Sequence, residues 1–65
     1  MSKVIFNRNG ETGNIFWVLG MAYASLLQEG RRHDAEAMSA KVVEQQSYED
    51  ALNVIAEFVD LQEEE

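Results

Sequence analysis

His33 and Asp34 are the first residues to ask about chemistry, because a histidine beside a carboxylate is the common pairing of a general base with its orienting group. His33 is the one histidine in 65 residues, and there is no cysteine. Two adjacent residues in a linker rarely hold the geometry that proton transfer needs, so His33 reads as a solvated side chain. A single histidine without thiolates leaves zinc short of ligands, and the acids show no calcium-loop spacing. The run Gly10-Glu11-Thr12-Gly13-Asn14 precedes an apolar stretch as an anion-binding entrance would. It lacks the glycine spacing and the Lys-Ser/Thr pair of a phosphate loop, so it reads as a turn followed by a helix cap. No nucleophile–base pair remains. The expectation is a protein that is not an enzyme and uses no cofactor or metal.

Charge is the next discriminator. The net charge is −7, and its placement is uneven. Residues 1–41 carry five bases (Lys3, Arg8, Arg31, Arg32, Lys41) against four acids. Residues 42–65 carry eight acids and no base. Such acidity disfavours a phosphate backbone, which asks for clustered Lys and Arg, and favours attraction to basic protein surfaces. Glu49, Asp50, Glu57 and Asp60 are the candidate partner-binding residues of this half, either as a mimic of nucleic acid in a basic groove or as a merely solvated face. Arg8, Arg31, Arg32 and Lys41 carry the alternative of a small nucleic-acid-binding regulator. Against it, the Arg31-Arg32-His33 cluster also suits the negative end of a preceding helix.

The elements that would position these groups are legible from pattern. Lys3-Val4-Ile5-Phe6-Asn7 is a short strand, rich in β-branched and aromatic residues. Asn9-Gly10 marks a turn, since both residues tolerate positive φ, and it hands the chain to the first helix. The strand must pair either with Phe58-Val59-Asp60-Leu61 or with its own copy in another subunit. Asn14 is placed as N-cap and Gly30 as the residue closing a helix that runs to about Glu29. A second helix is expected over residues 34–45, with Asp34 as a cap and a weak stripe of Ala35, Met38 and Val42. Ser47 caps a third, with Glu49 and Asp50 at its positive end. Its stripe is Tyr48, Ala51, Leu52, Ile55, Phe58 and Val59. The acidic tail over residues 62–65 is expected to fray.

Residues 15–27 read IFWVLGMAYASLL, thirteen positions without a charge. A helix apolar nearly all round needs cover on every side, and a chain of this size has little else to offer. Ile15, Leu19, Ala22, Tyr23 and Leu26 share one face, suited to the stripe of the third helix. Trp17, Met21, Ala24 and Gln28 fall opposite, with Gly20 at their edge. Gly20 in mid-helix costs about 1 kcal/mol relative to alanine, which close approach of another backbone would offset. Trp17, Gly20, Met21 and Ala24 are therefore the candidate self-association residues, unless strand or third helix covers them. The run is too short to span a bilayer, for which about 20 residues are needed. With no leader segment legible near Lys3, the expectation is a cytoplasmic protein.

The run Asn9-Gly10-Glu11-Thr12-Gly13-Asn14-Ile15-Phe16, continued by Leu19-Gly20-Met21-Ala22, resembles a group of very short proteins of unknown function from phages and other mobile elements. They share a short N-terminal strand and a Gly-Asn-x-Phe helix start with Leu-Gly one turn on. Ser47-Tyr48-Glu49-Asp50-Ala51-Leu52 and Val59-Asp60 extend the likeness over most of the chain. Thr12 stands where typical members carry an acid. The resemblance implies a phage or mobile-element setting and assigns no catalytic residue.

These readings converge on a mainly α (α+β) domain over residues 1–61: one short N-terminal strand followed by three helices, the first central. The expected function is that of a small interaction protein, a homodimer or other homo-oligomer, that binds and modulates or inhibits a host or phage protein.

Overall fold

The computed structural model describes residues 2–64. In chain order these form β1 (Lys3–Phe6), a 3₁₀ turn (Glu11–Gly13), α1 (Ile15–Gln28), α2 (Arg32–Val42), α3 (Tyr48–Ala56) and β2 (Asp60–Glu63). One short strand and three helices are thus present as expected, and the C-terminal segment open to pairing forms a strand over Asp60–Glu63 rather than residues 58–61.

β1 finds its partner within the chain. It pairs parallel with β2, in the register Lys3 to Asp60, Val4 to Leu61, Ile5 to Gln62 and Phe6 to Glu63. Parallel strands require a long crossover, and here all three helices form it. The ladder extends one residue before β1, at Ser2, and one residue past β2, at Glu64. The Asp60 amide donates to the Ser2 carbonyl and the Glu64 amide to the Phe6 carbonyl, both at 2.7 Å. The tail expected to fray from Gln62 is therefore corrected: residues 62 and 63 belong to β2, held by backbone hydrogen bonds that composition does not reveal. Glu65 lies outside the described residues.

Strand alternation decides what the sheet buries. Val4 and Phe6 point into the core, while Lys3 and Ile5 face outward. α1 meets them with Val18, Ala22 and Leu26, one residue per turn and all fully buried. α2 adds Ala35, Met38 and Val42, the stripe its sequence shows. α3 adds Ala51, Leu52, Val54 and Ile55, and Val59 closes the core ahead of β2. Leu26, Met38, Ile55 and Val18 are the largest fully buried side chains, each contributing about 1.5–3 kcal/mol by leaving water. α1 is central, touching β1, α2 and α3.

The buried side of α1 is rotated from the expected one. Ala22 and Leu26 are buried, but Ile15, Leu19 and Tyr23 are only half-buried, and Val18 joins the fully buried side. An uncharged helix gives no polar stripe from which to locate its inner face.

The ends of the helices follow local chemistry. Asn14 Oδ1 accepts from the Phe16 amide at 2.8 Å, and Ser47 Oγ from the Asp50 amide at 3.1 Å. Gly30 has φ +75°. Its amide reaches the Leu27 carbonyl while the Arg31 amide reaches back to Leu26 at 2.8 Å, the double closure that favours glycine. α2 then begins at once, so it spans Arg32–Val42 rather than residues 34–45. Asp34 is inside its first turn and does not cap it. Nor does the turn at Asn9-Gly10 use positive φ, since Gly10 has φ −112°. It is built from side chains instead: Asn7 Oδ1 accepts from the Asn9 amide and Thr12 Oγ1 from the Asn7 amide. Among the described residues, no helix is long and apolar enough to cross a membrane.

Candidate interaction surfaces

The groups first considered for chemistry are dispersed or already engaged. His33 is exposed on the first turn of α2, and its neighbour Asp34 instead receives a 2.9 Å hydrogen bond from Arg31 Nε. The amides of Gly10, Gly13, Asn14 and Phe16 are all consumed by acceptors on Asn7, Gly10, Glu11 and Asn14. That leaves little of an anion-binding nest. Among the described residues, no three His, Asp or Glu side chains gather as a metal site.

The basic residues are largely matched to carboxylates. Arg8 lies at the centre of the most developed polar cluster. Its guanidinium bonds both oxygens of Glu49 and both oxygens of Glu63, the latter at 3.0 and 3.1 Å. It also sits 5.5 Å from the centroid of the Tyr48 ring. The hydrogen bonds from Arg8 hold Glu49 below the usual carboxylate range, and Glu49, then Glu63, hold Arg8 more firmly protonated. Arg31 is raised by Asp34 and Glu29 in the same way. Lys41 Nζ meets Glu57 Oε1 at 2.9 Å. Of Arg8, Arg31, Arg32 and Lys41, only Arg32 has no carboxylate partner among the described residues.

The acidic set divides accordingly. Glu49 and Asp50 lie in the first turn of α3, Glu57 follows its last residue, and Asp60 opens β2; all four are exposed. Glu49 and Glu57 are tied to Arg8 and Lys41, whereas Asp50 and Asp60 make no ion pair among the described residues, although Lys3 is the cross-strand partner of Asp60. Pattern alone could not separate these pairs. Arg8 reaches Glu49 and Glu63 across 41 and 55 residues of sequence.

The outer face of α1 is uncovered. Trp17, Gly20, Met21 and Ala24 are exposed, as are Phe16 and Leu27 beside them. Phe16 is 78% exposed and Met21 45%. A Cβ on Gly20 would meet nothing within 4 Å, so no neighbouring backbone within the chain explains this glycine. Together the four large side chains expose on the order of 400 Å² of apolar surface, taking about 200 Å² for each whole side chain. That equals the largest patches on ordinary monomers, which are often functional. Phe16 escaped the sequence reading because it falls between the two faces assigned to α1.

A second feature is visible only in three dimensions. Where the start of α1 meets the α2–α3 connection, Ile15, Phe16, Leu19, Val42, Val43 and Tyr48 help to line a groove of about 440 Å³. Gln45, Gln46, Ser47 and Ala51 complete it, so no charged residue lines it.

Comparison of the chain with protein-family models, curated proteins and solved structures gives no match. The functional reading therefore rests on these surfaces.

Proposed function

We propose that this chain is a small non-enzymatic interaction protein that associates with itself and acts by binding, and so modulating or inhibiting, another protein. The observation that carries the proposal is the outer face of α1. Seven residues, Phe16, Trp17, Gly20, Met21, Ala24, Leu27 and Gln28, lie exposed without a charge on a molecule of net charge −7. Two copies of such a molecule carry like net charge, and contact through an uncharged face brings the fewest acids together. The small residues Gly20 and Ala24 allow two helices to approach closely. Two such patches bury on the order of 800 Å² of large side chains, below the roughly 1,200 Å² of a standard stable interface. The dimer is thus a weak, concentration-dependent one.

The resemblance of residues 9–22 to short phage and mobile-element proteins supports a partner among phage or host proteins, and a cytoplasmic setting is part of the same proposal. The acidic half is the surface that meets it, in the manner of nucleic acid entering a basic groove. Asp50 and Asp60 lead this contact because Glu49 and Glu57 already have cations. A nucleic-acid-binding regulator is the weaker reading, since three of its four bases are matched to acids.

Size-exclusion chromatography with light scattering tests the self-association. A concentration-dependent dimer is expected, and a strict monomer at high micromolar concentration overturns that part. Affinity capture from a host lysate tests the rest. Neutralising Glu49, Asp50, Glu57 and Asp60 should weaken partner capture, and unchanged capture would refute the acidic contact.

A further inference from the structure

We infer that the uncharged groove beside the start of α1 is a docking slot for a basic peptide segment of a partner protein, one that inserts apolar or aromatic side chains between flanking Lys or Arg. The inference rests on the interaction role proposed above and names the partner's chemistry.

Three features lead to it. The groove, at about 440 Å³, falls in the size range of pockets that enclose ligands. Its floor is already ordered, because Val42 and Ala51 are buried and Ile15, Leu19 and Tyr48 pack against the core. Its mouth carries Phe16, 78% exposed, and Val43, 73% exposed. These are the two most exposed large apolar side chains of the described protein, Phe16 from the first turn of α1 and Val43 from just past the end of α2. An apolar side chain entering between them gains contact on both sides without displacing a charge.

The surroundings choose the sign of the partner. Glu44 lies between lining residues Val43 and Gln45, and the Asp50 amide donates to Oγ of the lining residue Ser47, which holds Asp50 at the groove's end. Glu44 and Asp50 have no cation partner among the described residues, while nearby Lys41 is occupied by Glu57. Flanking bases on an incoming segment find unneutralised carboxylates there; flanking acids meet repulsion. Apolar anchors on one side of a helix, set in a groove, are a recurrent way of recognising peptides.

The probe is a synthetic amphipathic helical peptide with Leu and Phe along one stripe and Lys elsewhere. Two controls accompany it, one with Glu in place of Lys and one with Ser in place of the stripe. Each is titrated into the isotope-labelled protein by NMR and calorimetry. The Lys peptide should shift Ile15, Leu19, Val43 and Ala51, and both controls should bind at least about tenfold more weakly. Val43→Asp, at an exposed position, should weaken binding about tenfold while leaving the thermal midpoint unchanged, and Phe16→Ala should weaken it similarly. Glu44→Gln with Asp50→Asn should cost about threefold at low salt and nothing at high salt. Asn53→Ala, on the outer side of α3, should change nothing.

Equal binding of the Glu peptide, or binding indifferent to both Val43→Asp and Phe16→Ala, overturns the inference. So does loss of self-association in Val43→Asp with peptide binding intact, which would make a second copy the occupant. Salt separates the two occupants further, since screening weakens a basic partner and strengthens contact between two acidic copies. If the protein dimerises but ignores the peptide, the groove assignment falls and the interaction role stands. If it stays monomeric, ignores the peptide and captures no partner, both fall.

Discussion

The Tyr48 hydroxyl donates a 2.6 Å hydrogen bond to the carbonyl of Gly13, 35 residues earlier in the chain. It joins the first turn of α3 to the entrance of α1. Gly13 is buried there against the carbonyl oxygens of Asn7 and Arg8, and Arg8 lies over the Tyr48 ring. Strand end, turn and helix start are thus held by one aromatic residue. Tyr48→Phe should remove that bond and leave a partly buried carbonyl unsatisfied, costing about 1–2 kcal/mol. Thermal unfolding should fall by roughly 4–8 °C per kcal/mol. An unchanged midpoint would show that water replaces the hydroxyl.

The two glycines at the ends of α1 should fail for different reasons. A Cβ on Gly13 would collide with the backbone carbonyls of Asn7 and Arg8, which cannot move as a flexible side chain could. Gly13→Ala should destabilise by more than about 2 kcal/mol. Gly30 has open space but positive φ, so Gly30→Ala should cost only about 1 kcal/mol, from the left-handed conformation alone. Urea unfolding of the two variants checks the order; equal costs would contradict it.

Gly20 is the informative exception. It is helical, its φ is ordinary, and nothing lies within 4 Å of an added Cβ. Gly20→Ala should therefore stabilise the monomer by about 1 kcal/mol through helix propensity. The same change should weaken self-association if two α1 faces meet closely at this point. Light scattering and denaturation on one sample separate the effects. Stabilisation with no change in dimerisation would move the interface away from Gly20.

The Arg8 cluster should make the protein sensitive to acid. Arg8 holds the Glu49 carboxyl below its ordinary value. A carboxylate with a depressed folded value stabilises the fold above its unfolded pKa, about 4.3 for glutamate, and the contribution is lost as pH falls through the lower folded value. Glu49→Gln should flatten the stability profile in that acid window. It should leave the profile near neutrality parallel to the parent, as pH-dependent thermal melts can show. A profile unaltered below pH about 4 would assign no role to this pair.

Trp17 reports directly on the α1 face, being the only tryptophan. On dilution from high to low micromolar concentration its emission should shift to the red as the face meets water. Met21→Asp should abolish the dimer at equal concentration; Trp17→Ala should do so too, but at a cost to the monomer's stability, since Trp17 is only 36% exposed and loses buried apolar area when truncated. Retention of the dimer in Met21→Asp would rule the face out.

Much of this fold is written locally. Asn14, Ser47 and Gly30 take the capping roles that their side-chain chemistry or backbone freedom suits, because a helix end needs partners within a few residues. The stripe of α2 is legible for a similar reason: polar residues around Ala35, Met38 and Val42 leave only one face to bury. The uncharged character of α1 and the acidic character of residues 42–65 are likewise plain from composition. Tertiary structure decided what depends on residues far apart. β1 could have paired with β2 or with another copy, since edge hydrogen bonds carry no record of their partner. That Val18 belongs to α1's buried side was not legible, because thirteen uncharged positions contain no contrast to orient the helix; packing against β1, α2 and α3 supplied it. Arg8 crossed 41 and 55 residues to neutralise Glu49 and Glu63, dividing an acidic surface that reads as uniform in sequence. The groove between Phe16 and Val43 exists only because α2 returns its end to the start of α1, and such an approach is set by packing rather than by any residue along the way.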